Sequence, residues 1–210
     1  GTVQTCLESG DPADVLVRLV EDRASDMIVI GARGQSPTKR LLLGSVSQRV
    51  ARHAPCSVLV TRSSPGLQSS DRPLRILVGY DGSGPARQAV NLLSRFQWGE
   101  NVEITLLNVV TLIKHYGLET YQKSQPIWDE TRRQTEQAAE QAVSQLKGAT
   151  TPVRAEVHEA ESVADEILTS AERLDADLIV LGHRGLNAIQ RFLLGSTSET
   201  VLRHAPCSVW

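Results

Sequence analysis

The stretch Gly31–Leu59 returns without a gap as Gly182–Trp210, with more than half of its positions identical. The first reads GARGQSPTKRLLLGSVSQRVARHAPCSVL and the second GHRGLNAIQRFLLGSTSETVLRHAPCSVW. Upstream, Glu8–Ile30 aligns with Glu159–Leu181 at the same offset. A unit of this length at one constant offset is a duplicated domain, not a short solenoid repeat. The duplication is lopsided, because Pro73–Thr151 precedes the repeated unit in the second copy and has no counterpart in the first. The organisation read from this is the C-terminal half of a first module, Gly1–Arg62, and a near-complete second module, Pro73–Trp210. A Ser-, Pro- and Gly-rich linker, Ser63–Arg72, joins them. The expected parent protein carries a further half-module upstream.

Along the second copy, apolar runs alternate with stretches of helical spacing. Leu74–Tyr80 is a buried-strand run that ends at the turn cluster Asp81-Gly82-Ser83-Gly84. Pro85 opens a helix to Phe96, at a position where a missing N–H costs nothing. Further strands are expected at Val102–Val110, Val153–His158, Asp177–Leu181 and from Cys207, and further helices at Asp129–Leu146, Val163–Leu174 and Ser196–His204. Regular alternation with strands apolar along their whole length predicts an α/β fold, a doubly wound parallel sheet of five strands with helices on both faces. Such sheets bind ligands beyond the carboxyl ends of their strands.

Charge and composition narrow the partners. The 210 residues carry a formal net charge of −2 and few aromatic side chains, so neither nucleic acid nor an anionic membrane is expected as a partner. No apolar run approaches the ~20 residues of a membrane span, and the polar start Gly1–Gly10 is no signal peptide. The three cysteines, Cys6, Cys56 and Cys207, form no disulfide framework, which suggests a reducing, cytoplasmic setting.

The chemistry is expected after the fourth strand of the module. Gly182-His183-Arg184-Gly185 is followed, nine residues on, by Gly195-Ser196, and Gly31-Ala32-Arg33-Gly34 by Gly44-Ser45. The glycines would let the backbone approach a ligand and take positive φ. The amides of Gly195, Ser196 and Thr197, at a helix start, would face an anion, with Ser196 and Ser198 adding hydroxyls and Arg184 a charge. A loop with such glycines also serves tight packing alone in many α/β folds.

The frame G-x2-G-x9-G-S, together with LRILVGYDGS and RHAPCSVLV, resembles the ATP-binding signature of the universal stress protein family. The resemblance implies a Rossmann-like, adenine-nucleotide-binding module with ATP as ligand and magnesium as an allowed companion. It places Asp81 near the adenosine end and any metal, and Val110 where the backbone holds the adenine. It puts Gly182, Arg184, Gly185, Gly195, Ser196 and Ser198 on the phosphate and ribose side. In the first copy Gly31, Arg33, Gly34, Gly44, Ser45 and Ser47 match the same side, with the adenine half missing. It also implies pairing of modules, as in a dimer, through their fifth strands, here Ser57–Val60 and Cys207–Trp210.

The expected function is an ATP-dependent stress-response or signalling module. One alternative is a slow ATPase or an enzyme of phosphoryl or nucleotidyl transfer, and another is a nucleotide-independent interaction protein. No catalytic residue is assigned. The chain has no Walker lysine frame, no dinucleotide fingerprint and no serine-hydrolase elbow. His53 with Cys56 and His204 with Cys207 give two potential ligands each, too few for a zinc site. His115 and Tyr116 lie in a long segment of open role.

Overall fold

A computed structural model describes residues 2–33, 43–62, 72–98, 100–111, 118–146, 151–185 and 194–210. His115, Tyr116 and Gly34 lie outside the described residues.

The first copy contributes helix α1 (Pro12–Asp22), strand β1 (Met27–Gly31), helix α2 (Ser45–His53) and strand β2 (Ser57–Thr61). The second runs β3 (Leu74–Gly79), α3 (Gly84–Leu93), β4 (Val102–Thr111), α4 (Leu118–Leu146), β5 (Val153–Ala160), α5 (Val163–Arg173), β6 (Leu178–Leu181), α6 (Ser196–His204) and β7 (Ser208–Val209). Local signals account for most of the starts. Asp11 caps α1 by accepting from the amides of Ala13 and Asp14, with Pro12 in the first turn. Ser83 caps α3 and Ser162 caps α5 in the same way. Helix α4 begins eleven residues before the expected Asp129, because Pro126 interrupts the sequence pattern without ending the helix. An internal proline removes one backbone bond, and a helix of 29 residues runs through it.

The sheet has seven strands in the order β1-β2-β7-β6-β3-β4-β5. Within the second copy all neighbours are parallel, with Ile76–Gly79 against Leu178–Leu181 on one side and Leu74–Gly79 against Val102–Leu107 on the other. That is the doubly wound arrangement expected of a module. The five strands expected of the near-complete module are β3–β7, and β1 and β2 of the half-module extend the sheet to seven. The half-module does not stand apart: β1 pairs parallel with β2, and β2 joins β7 antiparallel through Val60 and Val209. A strand pair cannot satisfy its backbone groups and bury its apolar residues alone, and the free edge of β7 supplies the neighbour.

Each face of the sheet has its own core. On one, α5 and α6 cover Leu77, Leu107, Ile179 and Val209, and the same cluster takes in Val60 of β2. On the other, α3 and α4 bury Ile76, Val78, Ile104, Leu106 and Val180 beneath Val90, Leu93, Ala139 and Ala142. Val180 under α3 is 2% exposed, whereas its counterpart in the first copy, Val29, is 59% exposed. The described part of the first copy has no equivalent of α3 to cover it.

Among the described residues no helix is long and apolar enough to cross a membrane.

Candidate functional site

Chain order reverses between β3 and β6, which lie side by side although α3, β4, α4, β5 and α5 intervene in sequence. The loops leaving these strands meet at the carboxyl end of the sheet, the crevice where ligands of doubly wound folds sit. From β3 come Asp81 and Ser83, and from β6 come Gly182, His183, Arg184 and Gly185. The start of α6, Gly195–Ser198, closes the group.

Contacts between these loops are specific. The carboxylate of Asp81 accepts from the Ser83 amide at 2.9 Å. It also fills the space beside Gly185, where an added Cβ would fall 2.7 Å from Oδ2. Ser83 is buried, caps Ala86 and donates its hydroxyl to the Arg184 carbonyl at 3.3 Å. Sequence reasoning gave Ser83 no role at the site. Its signal was there, since a serine two residues before a helical proline is an N-cap, and the capping group stitches the two loops together.

Gly182 has a packing reason to be glycine. A Cβ there would lie 2.7 Å from the Ala86 amide nitrogen and 2.8 Å from the Pro85 carbonyl carbon. The expectation of positive φ at Gly182 and Gly185 is corrected, because among the described glycines only Gly10 and Gly82 have it. Room for the start of α3 is what position 182 requires.

The start of α6 is the chemically open part. Its N-cap, Gly195, contributes no side-chain bond to the first turn. The Gly195 amide does not face outward as expected: it donates to the His183 carbonyl at 2.8 Å and closes the loop. Ser198 is buried and donates its hydroxyl to the Gly182 carbonyl at 2.8 Å, so that proton also serves the loop. The first-turn amides of a helix have no intrahelical acceptor, which leaves those of Ser196 and Thr197 to an outside one. The Ser196 side chain is exposed at the helix tip and that of Thr197 is half-buried.

The first copy reproduces this geometry. The Gly44 amide donates to the Ala32 carbonyl at 2.8 Å and the Ser47 hydroxyl to the Gly31 carbonyl at 2.7 Å. Gly44 caps α2 without a side-chain bond, while Ser45 and Arg33 are exposed. Since β2 runs antiparallel to β7, this second frame opens toward the opposite end of the sheet. Val110 is half-buried and sits near the end of β4, which continues past the end of β3 on the crevice side.

His183 has its imidazole held below the ordinary value of 6.5, first by desolvation and then by the Arg184 charge. Away from the crevice, burial pushes the Cys207 thiol up to about 12, which makes it a packing group rather than a nucleophile. No group of three or more His, Cys, Asp or Glu that could hold a metal occurs among the described residues.

The sequence model of the universal stress protein family matches residues 1–62 and again 74–210. A Staphylococcus aureus protein named as a universal stress protein is 33% identical over 139 residues, 64% of this chain and 80% of that protein. The solved structure of universal stress protein UspA from Lactobacillus plantarum superposes with a TM-score of 0.57 at 26% identity, over 67% of this chain and 98% of that one. A universal stress protein structure from Archaeoglobus fulgidus superposes with a TM-score of 0.61 at 25% identity, over 99% of this chain and 67% of that one. Both segments of the chain, the half-module and the fuller one, therefore belong to the universal stress protein family.

Proposed function

We propose that the chain is a nucleotide-responsive binding module that takes ATP at the crevice of its second copy. One observation carries the reading: of the helices whose N-caps are described, α1, α3 and α5 have capping side chains, whereas α2 and α6, which open from the glycine frames, have none. A capping side chain would compete with a bound phosphate for the same amides, so an uncapped start after a closed glycine loop suits an anion. In this reading the amides of Ser196 and Thr197 and the Ser196 hydroxyl hold phosphate oxygens. Gly185 lets the backbone come close beside Asp81, and the end of β4 at Val110 receives the adenine. Asp81 is a single carboxylate, so a magnesium ion here would take most of its oxygens from the phosphates and water.

The first copy has the same frame but no described equivalents of β3 and β4, and it is assigned no nucleotide of its own. The residues at the crevice bind and orient. Among the described residues no nucleophile–base pair forms there, and in this reading the response to ATP is a change in which conformation or partner is favoured, driven by different ATP affinity in the two states. A cytoplasmic protein of this kind would be read out by partners rather than by product.

The test is the nucleotide content of the purified protein. Released by denaturation and identified by mass, ATP should be present or taken up on addition with magnesium. A protein that neither retains nor takes up ATP contradicts the reading and favours a nucleotide-independent interaction role. Conversion of bound ATP in a single turnover, dependent on Asp81, would favour an enzyme instead.

A further inference from the structure

The junction between β2 and β7 brings equivalent edges of the repeat together, but their charges differ. Gln48 of α2 and Glu199 of α6 occupy the same place in the repeat, at the offset that relates Gly31 to Gly182. They touch across the junction, with the Gln48 amide donating to Glu199 Oε1 at 3.2 Å. Equivalent residues that meet each other mark the local two-fold axis. Glu199 also pairs with Arg52 across the junction, and within its own helix with Arg203, the counterpart of Arg52, at 3.5 Å. One carboxylate thus stands at the axis among two guanidinium groups and one amide. It is 28% exposed and Arg52 is 37% exposed, so water screens the pair only in part.

We propose that Glu199 is the anionic pin by which the fifth-strand edge of the first copy selects its partner. That edge carries no acid of its own at the axis. If two such edges met, Gln48 would face Gln48, and each Arg52 would lose its carboxylate. The partner that fits is a fifth-strand edge with a carboxylate at this position, as the second copy of the same chain has. Arg62, just past β2, reinforces the fit in a charge-independent way. Its backbone exchanges hydrogen bonds with the Ser208 hydroxyl, and its guanidinium donates to the Leu202 carbonyl at 2.8 Å at the end of α6. This clamp suits any helix end, so it cannot supply the choice that Glu199 supplies.

Amide exchange in the full chain tests the proposal, read at Val60 and Val209 on the junction and at Leu106 in the sheet centre as control. Glu199→Gln should speed exchange at the two junction sites about fivefold, the upper range for a partly screened pair, and leave Leu106 unchanged. Adding Gln48→Glu moves the carboxylate across the axis to where Arg203 stands as Arg52 now does. That double variant should return the junction to within about twofold of the parent, a coupling that independent sites do not show. A change confined to α6, such as loss of its own Glu199–Arg203 pair, cannot be repaired from α2. Unaltered exchange in Glu199→Gln overturns the proposal, and so does a double variant no better than the single one.

Discussion

Two residues show what the site asks of individual side chains. Gly182 and Gly31 hold the same place in the repeat, yet only Gly182 is crowded by the start of α3. Among the described residues, a Cβ at Gly31 would meet only the Arg33 carbonyl, at 3.3 Å. Gly182→Ala should therefore destabilise the protein by roughly 1–3 kcal/mol, in the range of overpacking, and Gly31→Ala by less than about 1 kcal/mol, as measured by denaturant unfolding. His183 is the other test. Partial desolvation and the Arg184 charge hold its folded value below 6.5 although the ring is exposed, so as pH falls the unfolded chain takes up a proton first. Its contribution to stability is present above the unfolded value and is lost as pH drops toward the folded one. An NMR titration should find His183 titrating below the ordinary range. His183→Ala should remove that part of the acid sensitivity, as in the first copy, where Ala32 stands in its place.

At the scale of elements, the repeat extends to backbone strain. Helices α1 and α5 both end in a left-handed residue that is not glycine, Ala24 at φ 46° and Asp175 at φ 50°. The following amides reach back to close each helix, Ser25 to the Val20 carbonyl and Ala176 to the Ala171 carbonyl, both in helix-end geometry. Ala24→Gly should therefore stabilise the chain by about 1 kcal/mol, visible as a higher denaturant midpoint, because it removes a left-handed alanine from the folded state. Asp175 is a poorer test, since its carboxylate also pairs with Arg72 and Arg75.

Most elements of the second copy were legible in the sequence, since apolar runs and caps are local signals. The helix Ser196–His204 falls where its sequence predicts. What was not legible depends on neighbours far along the chain. The commitment of the Gly195 amide to His183 and of the Ser198 hydroxyl to Gly182 comes from loop closure, which spacing alone does not reveal. The role of Ser83 needed β3 and β6 to be side by side. The extension of the five-stranded sheet to seven needed β2 to find β7, a pairing of distant segments.

For the whole molecule, the two outer edges of the sheet differ. Edge strand β5 carries Arg154, Glu156 and His158, tied to Glu166 and Arg173 of α5, a charged border of the kind that deters further strand addition. Edge strand β1 is Met27–Gly31, apolar throughout. Between them the glycine frames open at opposite ends of one sheet, and the crevice of the second copy alone has the strands β3 and β4 beside it. In the proposed function, the uncapped start of α6 holds the phosphates of ATP there. Ser196→Glu tests it most directly, because Ser196 is exposed at the helix tip. A carboxylate at that end favours the helix by about 0.3–1 kcal/mol, so the variant should melt no lower than the parent, while it repels a bound phosphate. Calorimetric titration with ATP and magnesium should show at least ~10-fold weaker binding for Ser196→Glu, a loss of about 1.4 kcal/mol, and no change for Ser45→Glu in the first copy. Equal ATP affinity in the parent and a folded Ser196→Glu would contradict the claim.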